Sequence, residues 1–117
     1  MRLIRMFTGP DGQSHFEDME FPAEQGVNGE LGPLLRAAGP VTWRHVAPGP
    51  PGGWHTAPRR QYVVVLSGQM EIEIAGGETR RFGPGDLLLT EDLSGKGHIT
   101  RTVGDQPRVL LNIPLEG

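Results

Sequence analysis

Hydrophobic positions in this chain recur at a spacing of two, the period of a strand and not of a helix. Met70, Ile72 and Ile74 alternate with Glu71, Glu73 and Ala75, which predicts a half-buried strand with its carboxylates in solvent. In a second alternating segment Val41, Trp43, His45 and Ala47 share one face, and Thr42, Arg44 and Val46 share the other. Gln61 to Leu66 and Leu87 to Thr90 are nearly continuous apolar runs, and Val109 to Ile113 reads as a last strand. At the start, residues 2–8 form an apolar and basic run. The turn Gly9-Pro10-Asp11-Gly12 and a second run from His15 to Phe21 follow it, predicting an opening hairpin.

The segments between these runs are turn chemistry. Pro48 to Gly53 is a strand-free connector, Ser67-Gly68 and Phe82 to Asp86 are turns, and residues 94–97 are a glycine-rich loop. Gly76-Gly77 reads as a two-residue hairpin turn, which sets Glu73 opposite Arg80 as a cross-strand charge pair. Pro22 to Pro40 is broken by glycine and proline and leaves room for one or two helical turns over Leu31 to Ala38. Composition agrees: 18 glycines and 11 prolines suit many short strands, because each proline removes a donor and each glycine weakens a helix. With 117 residues, no internal repeat and no linker, residues 1–117 read as a single all-β domain.

Charge excludes some partners. The formal net charge is −3, and Arg59-Arg60 and Arg80-Arg81 are pairs, not stripes, so no nucleic-acid footprint is expected. There is no cysteine, which rules out disulfides, thiolate catalysis and cysteine-held zinc. Met1 to Met6 lacks the apolar core of a signal peptide, and no apolar run reaches membrane-spanning length. A soluble cytoplasmic protein without a membrane partner is the expectation.

The spacing within residues 49–68 carries a family resemblance. Gly49, five residues, His55, one residue, Ala57, three residues, Gln61, six residues and Gly68 stand in that order. The stretch resembles the first motif of the cupin superfamily, which has histidine at both position 55 and position 57 and glutamate at position 61. Pro84-Gly85-Asp86 and His98, within about residues 85–102, resemble the second motif. Here Glu91 replaces a usual proline, Thr102 replaces the closing asparagine, and His98 falls two residues late. The resemblance implies a double-sheet β-barrel, or jelly roll, with a metal held inside by residues of both motifs.

Carried over position by position, the metal ligands are His55, Gln61 and His98, while the methyl group of Ala57 cannot ligate. His55, Ala57 and Gln61 are separated by even numbers, so on continuous strands they face one way. Two imidazoles and an amide oxygen carry no charge, so a divalent ion would keep its full charge and suit polarising a carbonyl. Nickel, zinc, manganese and iron are all compatible. Glu91 and Asp92 precede the loop before His98, so one of them is a candidate base or a group that orients this histidine. Trp54, Arg59 and Trp43 are the candidate substrate contacts, with one of Arg59 and Arg60 facing inward to clamp an anion. His45, on the face of Trp43, is an alternative ligand for the missing one at Ala57, and His15 and Lys96 read as surface residues.

Three functions compete. The first is a metal-assisted isomerase, cyclase or lyase acting on a small oxygenated metabolite, with a dioxygenase as a variant. The second is a metal-free barrel that binds a small ligand or works by acid/base chemistry through His98 and Asp92. The third is a homodimer that pairs through its apolar first and last strands.

Overall fold

The computed structural model describes residues 1–20 and 37–116, which form nine strands and no helix. They are β1 (Leu3–Thr8), β2 (Ser14–Met19), β3 (Thr42–Val46), β4 (Gln61–Ser67), β5 (Gln69–Glu73), β6 (Thr79–Phe82), β7 (Leu87–Glu91), β8 (Ile99–Val103) and β9 (Arg108–Pro114). The helical turns expected over Leu31 to Ala38 lie, as far as Arg36, outside the described residues; Ala37 bridges Leu115.

The strands divide into a six-stranded sheet, in the order β2-β1-β7-β4-β9-β3, and a three-stranded sheet, β6-β5-β8. The β1–β7 pair is parallel and all other pairs are antiparallel. This is the all-β double-sheet jelly roll that the sequence resemblance implied, a barrel-like sandwich. The opening hairpin forms as expected, Thr8 facing Ser14 and Leu3 facing Met19.

Alternation decides what each face buries. From the large sheet, Ile4, Met6, Val63, Val65, Leu88 and Leu110 point between the sheets, where they meet Met70, Ile72, Ile74 and Phe82 of the region around the small sheet. Each such side chain removed from water contributes about 1.5–3 kcal/mol. The intervening positions of the large sheet are apolar too: Leu3, Tyr62, Leu89 and Leu115 form a second cluster on its outer face, with Leu87 and Ile113 against it. Two apolar faces explain the nearly continuous hydrophobic runs of β4 and β7. The sheets also close unevenly. Side chains of β1 and β6 fill one flank, whereas the flank bounded by β3, β9 and β8 is hollow.

Two expectations are corrected. The loop between β5 and β6 is one residue longer than a two-residue hairpin: the Gly77 amide donates to the Ile74 carbonyl and the Ile74 amide to the Glu78 carbonyl. Glu73 therefore faces Thr79, and the cross-strand ion pair is Glu71 with Arg81, at 3.0 Å. Gly76 and Gly77 both have positive φ, 92° and 90°, so the third loop position comes at little steric cost. Second, the first and last strands are not edges. β1 lies between β2 and β7, and β9 between β4 and β3, so neither offers a free edge for a second copy.

Candidate functional site

A cavity of about 490 Å³ occupies the hollow flank between the sheets. At one end it is lined by His55, Ala57, Arg59, Gln61, Thr90 and His98, and at the other by Arg44 and Arg108. Val63, Met70, Ile72, Leu88 and Leu110 form the apolar wall between.

Backbone pairing assembles the histidine end. His55 and His98 form an isolated antiparallel bridge in which each amide donates to the other's carbonyl, at 3.0 and 2.8 Å. The approach requires Gly97, whose φ is +79° and where an added Cβ would collide with the His55 carbonyl. The Ala57 amide donates to the Asp92 carbonyl at 3.1 Å, tying the 55–57 segment to the end of β7. No continuous strand runs from His55 to Gln61, yet these two and Ala57 all reach the cavity, as their even spacing suggested.

Asp92 is the buried hub of this end, with no exposed surface. Its Oδ2 lies 2.6 Å from His98 Nδ1 and accepts the Ser14 hydroxyl at 2.7 Å, while Oδ1 is buried without a partner among the described residues. A carboxylate only accepts hydrogen bonds, so Nδ1 of His98 carries a proton, and in the neutral imidazole the lone pair is on Nε2 at the far edge of the ring. His98 itself is 5% exposed and lines the cavity, which is where that lone pair is available. His55 is arranged alike: Nδ1 is 3.1 Å from the Gly53 carbonyl, which leaves Nε2 bare. The two rings lie 4.6 Å apart between centroids, tilted by 57°.

The candidate residues thus separate. His55, Arg59, Gln61 and His98 share the cavity, and Asp92 supports His98. Glu91 does not join them. Alternation turns it to the outer face of β7, where Arg5 and Arg60 donate to its two oxygens. Burial raises its pKa, but these two guanidinium hydrogen bonds outweigh burial and hold the carboxyl below the usual range. Trp43 is 70% exposed and, with His45, lies on the face of β3 opposite the cavity-lining Thr42 and Arg44. Trp54 stands outside the cavity lining and carries the Lys96 ammonium 4.1 Å above its ring. His15 pairs with Asp11 at the surface, 2.9 Å away.

The Cupin domain family model matches residues 42–114. The chain belongs to the cupin family. The matched segment contains every strand that lines this cupin's cavity, from β3 to β9. A comparison with curated proteins found no match. No helix among the described residues is long and apolar enough to cross a membrane.

Cupins imply a metal, and the donor set can be tested for fit. His55 and His98 each hold Nδ1 against an oxygen and leave Nε2 free, the arrangement in which a ligating histidine is fixed by its second nitrogen. With the Gln61 amide the donors suit a borderline divalent ion in type and orientation. Among the described residues no three His, Cys, Asp or Glu side chains are grouped to hold an ion, so no carboxylate would offset its charge.

Sequence reading missed Ser14, Arg44 and Arg108. The β2 and β9 residues carried no motif. Arg44 shares a face with Thr42 and Val46, but which face of β3 points inward is set by its pairing with β9.

Proposed function

We propose that this cupin binds a small oxygenated organic molecule in its cavity, where His98 acts as a general acid and base. The observation that carries the reading is the 2.6 Å contact between Asp92 Oδ2 and His98 Nδ1. Asp92 fixes the tautomer and orientation of the imidazole and offsets the charge that develops when Nε2 takes a proton. Ser14 holds the same carboxylate oxygen in place. A ligand bearing a hydroxyl, or a C–H acidified by a neighbouring carbonyl, would lose its proton to His98 Nε2 and recover it from there at another position. That sequence is an isomerisation or the opening step of an elimination. The apolar wall excludes water from the ligand body, and the Gln61 amide is on hand for its oxygens, while the Thr90 hydroxyl donates to the Gln61 carbonyl at 3.2 Å.

The test is proton exchange in deuterated water. Small hydroxy- and oxo-carboxylic acids and their neutral analogues are incubated with the protein and followed by proton NMR. The reading expects exchange that falls by about 10²- to 10⁴-fold in His98→Gln and is indifferent to chelators. Exchange that survives His98→Gln, or no exchange with any compound that stabilises the fold, contradicts it.

A second reading is supported by the paired orientation of His55 and His98. A divalent ion held by their Nε2 atoms and the Gln61 oxygen would supply Lewis-acid polarisation of a carbonyl. It occupies the His98 lone pair, so the two readings oppose each other. Added nickel, zinc, manganese or iron inhibits under the first and is required under the second.

A further inference from the structure

The arginines among the described residues fall into two groups. Arg2, Arg5, Arg60, Arg80, Arg81 and Arg101 each have a carboxylate within 4.0 Å. Among the described residues Arg44, Arg59 and Arg108 have none, and all three line the cavity. Among the described residues no aspartate or glutamate lines it. A chain with net charge −3 thus keeps a hollow whose acid and arginine side chains, among the described residues, are all arginines.

Arg108 is the least expected of them. It is 8% exposed; its Nη1 donates to the Thr102 hydroxyl at 2.7 Å across the gap between the sheets, and its Nε is buried with no partner among the described residues. A buried guanidinium without an anion is costly. Burial, and then the charge of Arg44, push its pKa below the ordinary arginine value. Arg44 is close for a reason of register. Val46 faces Arg108 across the β3–β9 pair, so Arg44 is two residues away on the same face, the diagonal position that long side chains span. An anion between the two guanidiniums removes the burial penalty and the repulsion together.

We propose that Arg108 and Arg44 form an anion subsite that seats the carboxylate of a small organic acid, with the body of the acid lying along the apolar wall toward His98. The inference deepens the reading of the cavity as a ligand site and rests on it. His98, just before β8, stands at one end and Thr102, within β8, at the other, so about 13 Å of extended chain separates them at 3.3 Å per residue. Side chains reach in from both ends, which leaves room for a chain of several carbons between carboxylate and reacting group. Planar, bidentate guanidiniums match a carboxylate better than a lysine would.

The experiment is calorimetric titration with straight-chain carboxylates from butyrate to decanoate and with their primary amides. The subsite predicts that carboxylates of intermediate length bind and the matching amides bind at least tenfold more weakly. Arg108→Met and Arg44→Met should each lower carboxylate affinity by about 10- to 100-fold and leave amide binding unchanged. Arg44 is exposed, so Arg44→Met keeps the test open if Arg108→Met fails to fold. Amides that bind as tightly as carboxylates, or two variants that bind carboxylates like the parent, overturn the proposal. His98→Gln separates the two claims: it should bind carboxylates normally while losing proton exchange. Carboxylate binding without exchange in the parent would sink the catalytic reading alone, and exchange with amides as fast as with acids would sink the subsite alone.

Discussion

The six-stranded sheet carries arginines on both faces, and the two faces treat them in opposite ways. Outside, Arg5 and Arg60 close on Glu91, a partly buried carboxylate in contact with both. Inside, Arg44 and Arg108 face a cavity with no acid among the described residues of its walls. The outer cluster is complete in the resting protein, so it acts on stability alone. The inner pair is costly until an anion arrives, and such a cost persists where binding repays it. The same contrast applies to the two neighbouring acids of β7 and its end. Glu91 faces outward and ties strands together, whereas Asp92 turns inward, is fully buried and supports a histidine at the cavity.

The largest effect should come from the inner acid and its histidine. His98→Gln is expected to lower turnover by about 10²- to 10⁴-fold, equivalent to about 2.7–5.4 kcal/mol of transition-state stabilisation. Steady-state rates with the compound found by exchange would measure it. Next is the inner cation: Arg108→Met should lower carboxylate affinity by about 10- to 100-fold while the outer substitution Arg60→Met leaves it unchanged. If Arg60→Met weakens binding equally, the inside–outside distinction fails.

The outer cluster should respond through stability. Glu91→Gln leaves two guanidiniums short of an anion and should cost about 1–3 kcal/mol in urea unfolding at neutral pH, with ligand affinity unchanged. Its pH dependence has a definite sign. The folded Glu91 carboxyl titrates below the ordinary value of 4.5, so its contribution is complete above that value and is lost as pH falls through the lower, folded one. The deficit of Glu91→Gln relative to the parent should therefore vanish in acid. A deficit that stays constant down to strongly acidic pH would mean that Glu91 acts by packing. The smallest effect belongs to Glu71, which is hydrogen bonded first by Arg81 and then by Arg101 at the surface, with its pKa lowered by both. Solvent and salt screen such pairs, so Glu71→Gln should leave the melting temperature within experimental error.

How much of this was legible in the sequence depends on whether a strand has one apolar face or two. β5 has one, and Met70 and Ile72 gave its inward face directly. In β9 the more continuous apolar stripe, Val109, Leu111 and Ile113, lies on the face away from the cavity, whereas Arg108, Leu110 and Asn112 face it, so alternation alone did not turn Arg108 inward. The same ambiguity left Glu91 and Asp92 as equal candidates until the β4–β7 register, Gln61 to Thr90, decided which points inward. His55, Gln61 and His98 were legible through motif spacing, and their convergence depends on one glycine, Gly97, which lets two backbones touch. Trp43 and His45 were placed together correctly on one face of β3; that the face is the outer one follows from the partner strand. The β5–β6 register slipped by one residue because Gly76-Gly77 satisfies a two-residue and a three-residue loop equally well, and hydrogen bonds of Ile74 select the longer.

The central claim is that Asp92 holds His98 with its proton on Nδ1 and its Nε2 lone pair available to a ligand in the cavity. Long-range nitrogen–proton NMR of uniformly labelled protein at neutral pH reads this tautomer directly. An Nδ1–H tautomer is expected for His98, reverting to a mixture in Asp92→Asn, with the Nε2 resonance shifting when a carboxylate ligand binds. An Nε2–H tautomer in the parent protein, or an Nε2 resonance that no cavity ligand moves, would contradict it.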